Sequence, residues 1–395
     1  MGARKTPAAD CTDGNFVAEW FGHRVWPTVN DSPAARRDQS QCQCPFISIA
    51  TGEQIECVKV RDGEPYGVCT ISSDSNGERQ DWIACPHRTL DQHFTLLSTA
   101  VQRAFGIASA DDLTLAPVSA LRTPEQQQRV RESFRLGKRV FLFTGTKLGG
   151  EVDFRETDAS PGAAVDMSVI EVTGLDESGQ PLTFGNHLLF EIQTSDFHGS
   201  PLHAAGALRA VCPRGEAREG YHDELRKRPE IAGTGVEGPN KANIFKRTIY
   251  QMIFKIELAR DSECAGFAII LPVPVWQSWL RHLGCPDLEA IGSDARKMRL
   301  RTPGDAESGL NAHATVYVFD IDRESKESPS PLIVVREVEV SAAALTHHAF
   351  VRASNEAIQR GVTESFRKSF KDRVRKGWTG KLRKELKDVS EKPRR

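Results

Sequence analysis

Three residues in this chain have the types and spacing to act on a phosphate. Asp166 lies in the run from Val165 to Val172, and Glu191 and Gln193 lie in the run from Leu188 to Gln193, some 25 residues later. Residues i and i+2 of a strand point the same way, so Glu191 and Gln193 share a face. A carboxylate between Phe190 and Ile192 is costly to bury unless a charge pairs with it, and a divalent cation would do so. Hydrolysis of a phosphodiester calls for such a cation, which activates the attacking water and neutralises charge building on the phosphate oxygens. Mg2+ takes oxygen ligands and keeps several waters, so one or two carboxylates and a backbone carbonyl suffice. The residue two after the glutamate positions the water or the phosphate. Lysine is common there; Gln193 can donate a hydrogen bond but carries no charge. Taken alone, D…E-x-Q equally describes two solvent-facing acids at strand edges.

Thiols form the second group. Six of the nine cysteines fall within the first 85 residues: Cys11, Cys42, Cys44, Cys57, Cys69 and Cys85. Met1 to Asp10 has no apolar stretch of the kind a secretion signal carries, and nine is odd, so a disulfide framework is not expected. Such clustering points to a metal, whereas Cys212, Cys264 and Cys285 read as scattered buried thiols. Residues 14 to about 87 are poor in core-forming runs and need a staple, which a metal supplies.

Elements that could position these groups follow from Arg88 on. Leu90, Phe94, Leu97, Ala100, Val101 and Phe105 recur at helical spacing. Thr123-Pro124-Glu125-Gln126 reads as a helix start, with Gly137 as its stop. Strands are expected over 139–143, 165–172, 188–193, 267–271, 315–319 and 332–340. Asn243 to Arg260 predicts an amphipathic helix with a stripe of Phe245, Ile249, Met252, Ile253 and Ile256. Lys246, Arg247 and Lys255 are expected on its other faces, toward water or phosphate. A short helix is expected over 276–283. Interleaved strands and helices indicate an α/β fold with a mixed sheet.

The surroundings of the acids carry a resemblance. Leu148-Gly-Gly-Glu151, Asp166, and Glu191-Ile-Gln193-Thr-Ser-Asp196-Phe-His198-Gly-Ser200 are similar to the catalytic region of the NotI family of type II restriction endonucleases. Asn15 to Val25, Glu237 to Asn240, Phe245 to Thr248 and Trp279 to Leu283 extend the match in order over roughly residues 14 to 345. The resemblance implies a PD-(D/E)xK nuclease core, with Asp166 and Glu191 as Mg2+ ligands and Gln193 where most relatives have lysine. It makes Glu151 a further acid near the metal. Val165 stands where the short signature has proline. His198 reads as a structural histidine rather than a base.

The same resemblance implies that Cys44, Cys57, Cys69 and Cys85 bind a structural iron. Chemistry alone would allow zinc or iron, since both suit four thiolates, and four thiolates leave no open position for substrate. Cys42 rivals Cys44, and Cys11 reads as free. The expected organisation is an N-terminal unit over 1–87 with this site, a catalytic core over 88–345, and a helical, basic tail over 346–395.

Together these give an expected Mg2+-dependent endonuclease acting on double-stranded DNA as a homodimer at a palindromic site, and the resemblance implies that this site is GC-rich, such as GCGGCCGC. A companion DNA methyltransferase in the host is implied. A cytoplasmic location is the default, since no apolar run approaches the roughly 20 residues that span a bilayer. The formal net charge of −1 gives no global sign of nucleic-acid binding. Charge is segregated, however: Arg367 to Arg395 holds thirteen Lys/Arg against four acids, either a solvated tail or a phosphate contact. Rival expectations are a metal-containing DNA-binding regulator that does not cut, and a structure-specific repair nuclease. There is no P-loop, G-x-S-x-G or H-E-x-x-H to suggest another hydrolase.

Overall fold

The apolar runs of the sequence become the middle of a nine-stranded mixed sheet in a computed structural model describing residues 14–74, 77–215, 220–302 and 313–379. Cys11 and the basic residues from 380 on lie outside the described residues. Across the sheet the strands run Glu289–Ala290, Lys297–Arg299, Leu332–Val340, Ala314–Ile321, Cys264–Pro272, Pro181–Ile192, Met167–Leu175, Arg139–Gly145 and Leu113–Pro117. The Pro181–Ile192 strand pairs antiparallel with Met167–Leu175 and parallel with Cys264–Pro272. It is therefore central, and its end carrying Glu191 is covered on both faces.

Period-2 alternation sorts the side chains. Leu188, Phe190, Ala268 and Ile270 enter one buried cluster, together with Leu97 and Val101 of the Thr95–Phe105 helix. Leu189, Phe267, Ile269 and Leu271 enter the other. There they meet Phe245, Ile249, Met252 and Ile256 of the Lys241–Leu258 helix and Trp276 and Trp279 of the Val273–His282 helix. The chain is thus mixed α/β, with helices on both faces of a large mixed sheet. Local signals held where they were chemical: Thr123 accepts a hydrogen bond from the Gln126 amide and caps Pro124–Arg135, and Gly137 takes a φ of +75° just past its end.

One expected strand is in fact two. The run 165–172 breaks at Asp166, because Ala163–Val165 pairs with Val152–Phe154 in a separate hairpin, while Met167–Leu175 joins the main sheet. A chain that changes sheets must bend, and it does so at the acid. Gly145 faces this bend closely: a Cβ there would lie 2.9 Å from the Asp166 carbonyl oxygen.

Residues 14 to 87 build a four-stranded antiparallel sheet, His23–Arg24, Phe16–Trp20, Val68–Ser73 and Gln80–Ile83. It does not stand apart. One buried cluster runs from Phe16 through Phe143 and Phe190 to Leu332. Arg88 donates to Glu19 at 2.8 and 3.1 Å and to the Ser330 carbonyl at 2.6 Å, with both ionic side chains fully buried. Burial alone would raise the Glu19 pKa, but the Arg88 charge holds it below its ordinary value. His23 bridges Asp38 at 2.9 Å and the Ser328 hydroxyl at 2.7 Å. At the other end, the Val362–Trp378 helix leaves Phe366, Phe370, Val374 and Trp378 exposed. Among the described residues, no helix is long and apolar enough to cross a membrane.

Candidate active site

Asp166 and Glu191 come together because a bend and a strand end meet in neighbouring strands. The Asp166 carboxylate accepts the Ile192 amide proton at 2.7 Å, which fixes its direction. Burial raises the pKa of Asp166, opposed by that hydrogen bond and by Lys255. Glu191, only 4% exposed, is pushed up to about 7, first by burial and next by the Asp166 charge. Glu151 is exposed, and its charge also raises Asp166. The Thr146 hydroxyl donates to Glu151. Gln193 donates its side-chain amide to Glu191 at 3.2 Å, so the two do share a side. His198 is exposed on the loop beyond.

Lys255 is the residue that the sequence reading missed. It was expected away from the apolar stripe; instead it is buried, with its ammonium 2.5 Å from a Glu191 carboxylate oxygen. The geometry explains this. Glu191 lies two residues after Leu189 and so faces the Lys241–Leu258 helix, and Lys255 lies three after the fully buried Met252, on the helix face turned to the sheet. A stripe extended by i+3 from Met252 would have found it. Lys246, by contrast, is exposed as expected. The cation that Gln193 does not supply thus enters from a different element.

Cys44, Cys57, Cys69 and Cys85 are all buried and occupy one neighbourhood. Cys85, Cys57 and Cys44 each add to the raised pKa of Cys69, after burial. Cys85 is pushed up to about 11, by burial first and then by Cys57. Cys42 also neighbours Cys57, whose amide donates to the Cys42 carbonyl at 2.8 Å, and its sulfur lies 3.2 Å from a nitrogen of the Arg209 guanidinium that stacks on Trp20 and Phe21. Gly67 is needed beside these thiols: its φ is +65°, and a Cβ there would lie 2.5 Å from the Phe21 ring.

Among the described residues, no group of three or more His, Cys, Asp or Glu side chains is placed to hold a metal ion as it stands. The thiols and the acids are therefore gathered but not closed into shells. Their chemistry fits two different metals. A buried carboxyl whose pKa is raised by a half-buried neighbour is relieved by a hard dication, and four buried thiols gain a reason to ionise only when a soft or borderline metal binds them.

No protein-family model matches this chain, and no curated protein matches it.

Proposed function

We propose that the chain is a Mg2+-dependent endonuclease of the NotI type, cutting double-stranded DNA. The observation that carries this reading is the cluster of Asp166, Glu191 and buried Lys255 at the end of the central strand. Two acids and one cation, with Gln193 hydrogen-bonded to the second acid, supply the charge types that phosphodiester hydrolysis needs. The sequence resemblance to the NotI family, in register over most of the chain, supports the same reading.

Asp166 and Glu191 would hold the Mg2+. When bound, the ion supplies an activated water and offsets the negative charge on the phosphate. The protein's own part is positional and electrostatic. The Ile192 amide aims Asp166, and Gln193 holds one oxygen of Glu191. Lys255 sets its amine nitrogen against the other oxygen in a dry setting, where an electrostatic contact acts more strongly than in water. Glu191, titrating near 7, must lose its proton before it can serve as a ligand. The four thiols would hold a structural metal, iron or zinc. A homodimer placing one such cluster on each strand of a palindrome completes the proposal, with a companion methyltransferase protecting host DNA.

Digestion of a plasmid carrying one GCGGCCGC site, with Mg2+ and with EDTA, tests this directly. One discrete Mg2+-dependent cut is expected, and none from Glu191→Ala. Binding without cutting would overturn the nuclease reading in favour of a regulator. Discrete cuts elsewhere would keep the nuclease and discard the inherited specificity.

A further inference from the structure

The short segment Ile83–His87 holds Cys85 at its centre and reaches the loops on two sides of the acid cluster. Upstream of Cys85, the Ile83 carbonyl accepts the Ser195 amide proton at 2.8 Å, two residues past Gln193. Downstream, the His87 ring lies beside the backbone of Thr146, and the Thr146 hydroxyl donates to Glu151. The same ring lies 3.7 Å from the Cys85 sulfur, and His87 is buried. Lys59, two residues after Cys57, is close enough to act electrostatically on both Cys85 and Asp166. The thiol group and the acids are thus neighbours through one short stretch of chain.

We propose that Ile83–His87 is a brace by which the thiol unit sets the geometry of the acids, with His87 as the positioning residue for Glu151. The proposal rests on the nuclease reading of the acids. A thiol unit that only stapled the N-terminal sheet would have no need to reach the loops on both sides of the acid cluster. Partners that orient metal-binding groups are worth about 10–100-fold in metal affinity when removed. Disordering the brace therefore lowers the affinity of the acids for their ion, and the state of the thiol unit governs cleavage.

The test is Mn2+ binding to the full-length protein, followed by calorimetry or by the Mn2+ spin-resonance signal, alongside kcat and KM on DNA. Wild type is expected to show a Mn2+ site that Glu191→Ala abolishes. His87→Ala is expected to keep its thiol-bound metal and lose about tenfold in Mn2+ affinity, with kcat falling and KM for DNA unchanged. His87→Gln, which retains a donor, recovers part of the loss. Cys85→Ser loosens the brace from the thiol side and is expected to weaken Mn2+ binding likewise. Thr146→Val covers the case in which His87→Ala does not fold, since it breaks the Glu151 contact away from the thiols and should show the same drop. Unchanged Mn2+ affinity in the folded His87 or Thr146 variant overturns the brace and leaves the nuclease reading intact. Absence of a Glu191-dependent Mn2+ site in wild type overturns both.

Discussion

Replacing Lys255 with methionine should destabilise the protein at high pH and hardly at all at low pH. Glu191 titrates near 7 when folded, against an ordinary 4.5. Its folded value is raised, so the folded state holds the proton more tightly than the unfolded state does. The group's contribution is therefore most favourable below pH 4.5, is lost as pH rises toward 7, and is level above that. Lys255 is the main force holding the value down; without it, burial and Asp166 push it higher. Breaking one side of a buried ion pair costs about 3–5 kcal/mol, or about 2–4 pH units at 1.36 kcal/mol per unit. Glu191 in Lys255→Met then titrates well above its value in the wild type, and the variant goes on losing stability as pH rises beyond 7. The gap between variant and wild type reaches about 3 kcal/mol at pH 9. At pH 6 Glu191 is largely protonated in both proteins, and methionine relieves a buried ammonium, so the variant is as stable as wild type or slightly more so. Urea unfolding at pH 6 and pH 9, without added divalent cation, reads both gaps. An equal penalty at the two values would refute the placement of Lys255 against a titrating Glu191.

Other outcomes follow from the same structure. Arg88→Met leaves Glu19 buried without its cation and should cost about 3–5 kcal/mol at pH 7. Because the folded pKa of Glu19 is depressed, the stability it contributes is present above pH 4.5 and lost as pH falls through the folded value, so the penalty should shrink in acid; denaturant midpoints at pH 7 and pH 4 check this, and a constant penalty counts against it. Cys69→Ser should abolish bound iron or zinc and destabilise residues 14–87 most, read as metal per chain by elemental analysis and as loss of amide protection there; full metal content would exclude Cys69 as a ligand. Gly67→Ala should cost more than about 1 kcal/mol because its φ is positive and its Cβ meets Phe21, as measured by urea unfolding. Phe366→Ser with Phe370→Ser should change stability by no more than about 0.5 kcal/mol per site, since both rings are exposed, and a larger loss would show that the helix packs on something.

Much of the sheet was legible because strand periodicity is a local property. Runs such as 315–319 and 332–340 reappear as Ala314–Ile321 and Leu332–Val340. The pairing of Glu191 with Gln193 was legible for the same reason, being a matter of alternation along one strand. Lys255 was not, because its partner is 64 residues away and only the crossing of helix over sheet brings them together. The bend at Asp166 was hidden by chemistry that looks continuous: Val165 and Met167 are both apolar and buried, yet they belong to different sheets. The reach of Ile83–His87 to Ser195 and Thr146 left no mark in the sequence, since a backbone carbonyl and a lone histidine announce nothing about their partners.

The long ties across the molecule also set an order in time. Arg88 and the Ser330 carbonyl are 242 residues apart, and His23 and Ser328 are 305 apart. On the ribosome, at about 5–20 residues per second, the first of these intervals takes roughly 10–50 seconds to translate. Asp166, Glu191 and Lys255 have all been made well before it ends, while the seat of the N-terminal sheet is still missing. A chain halted before Ser328 holds every acid named here and neither of those two ties. Translation thus delivers the acid cluster first and its anchorage last, so that a truncated product carries those side chains on a scaffold that cannot yet lock.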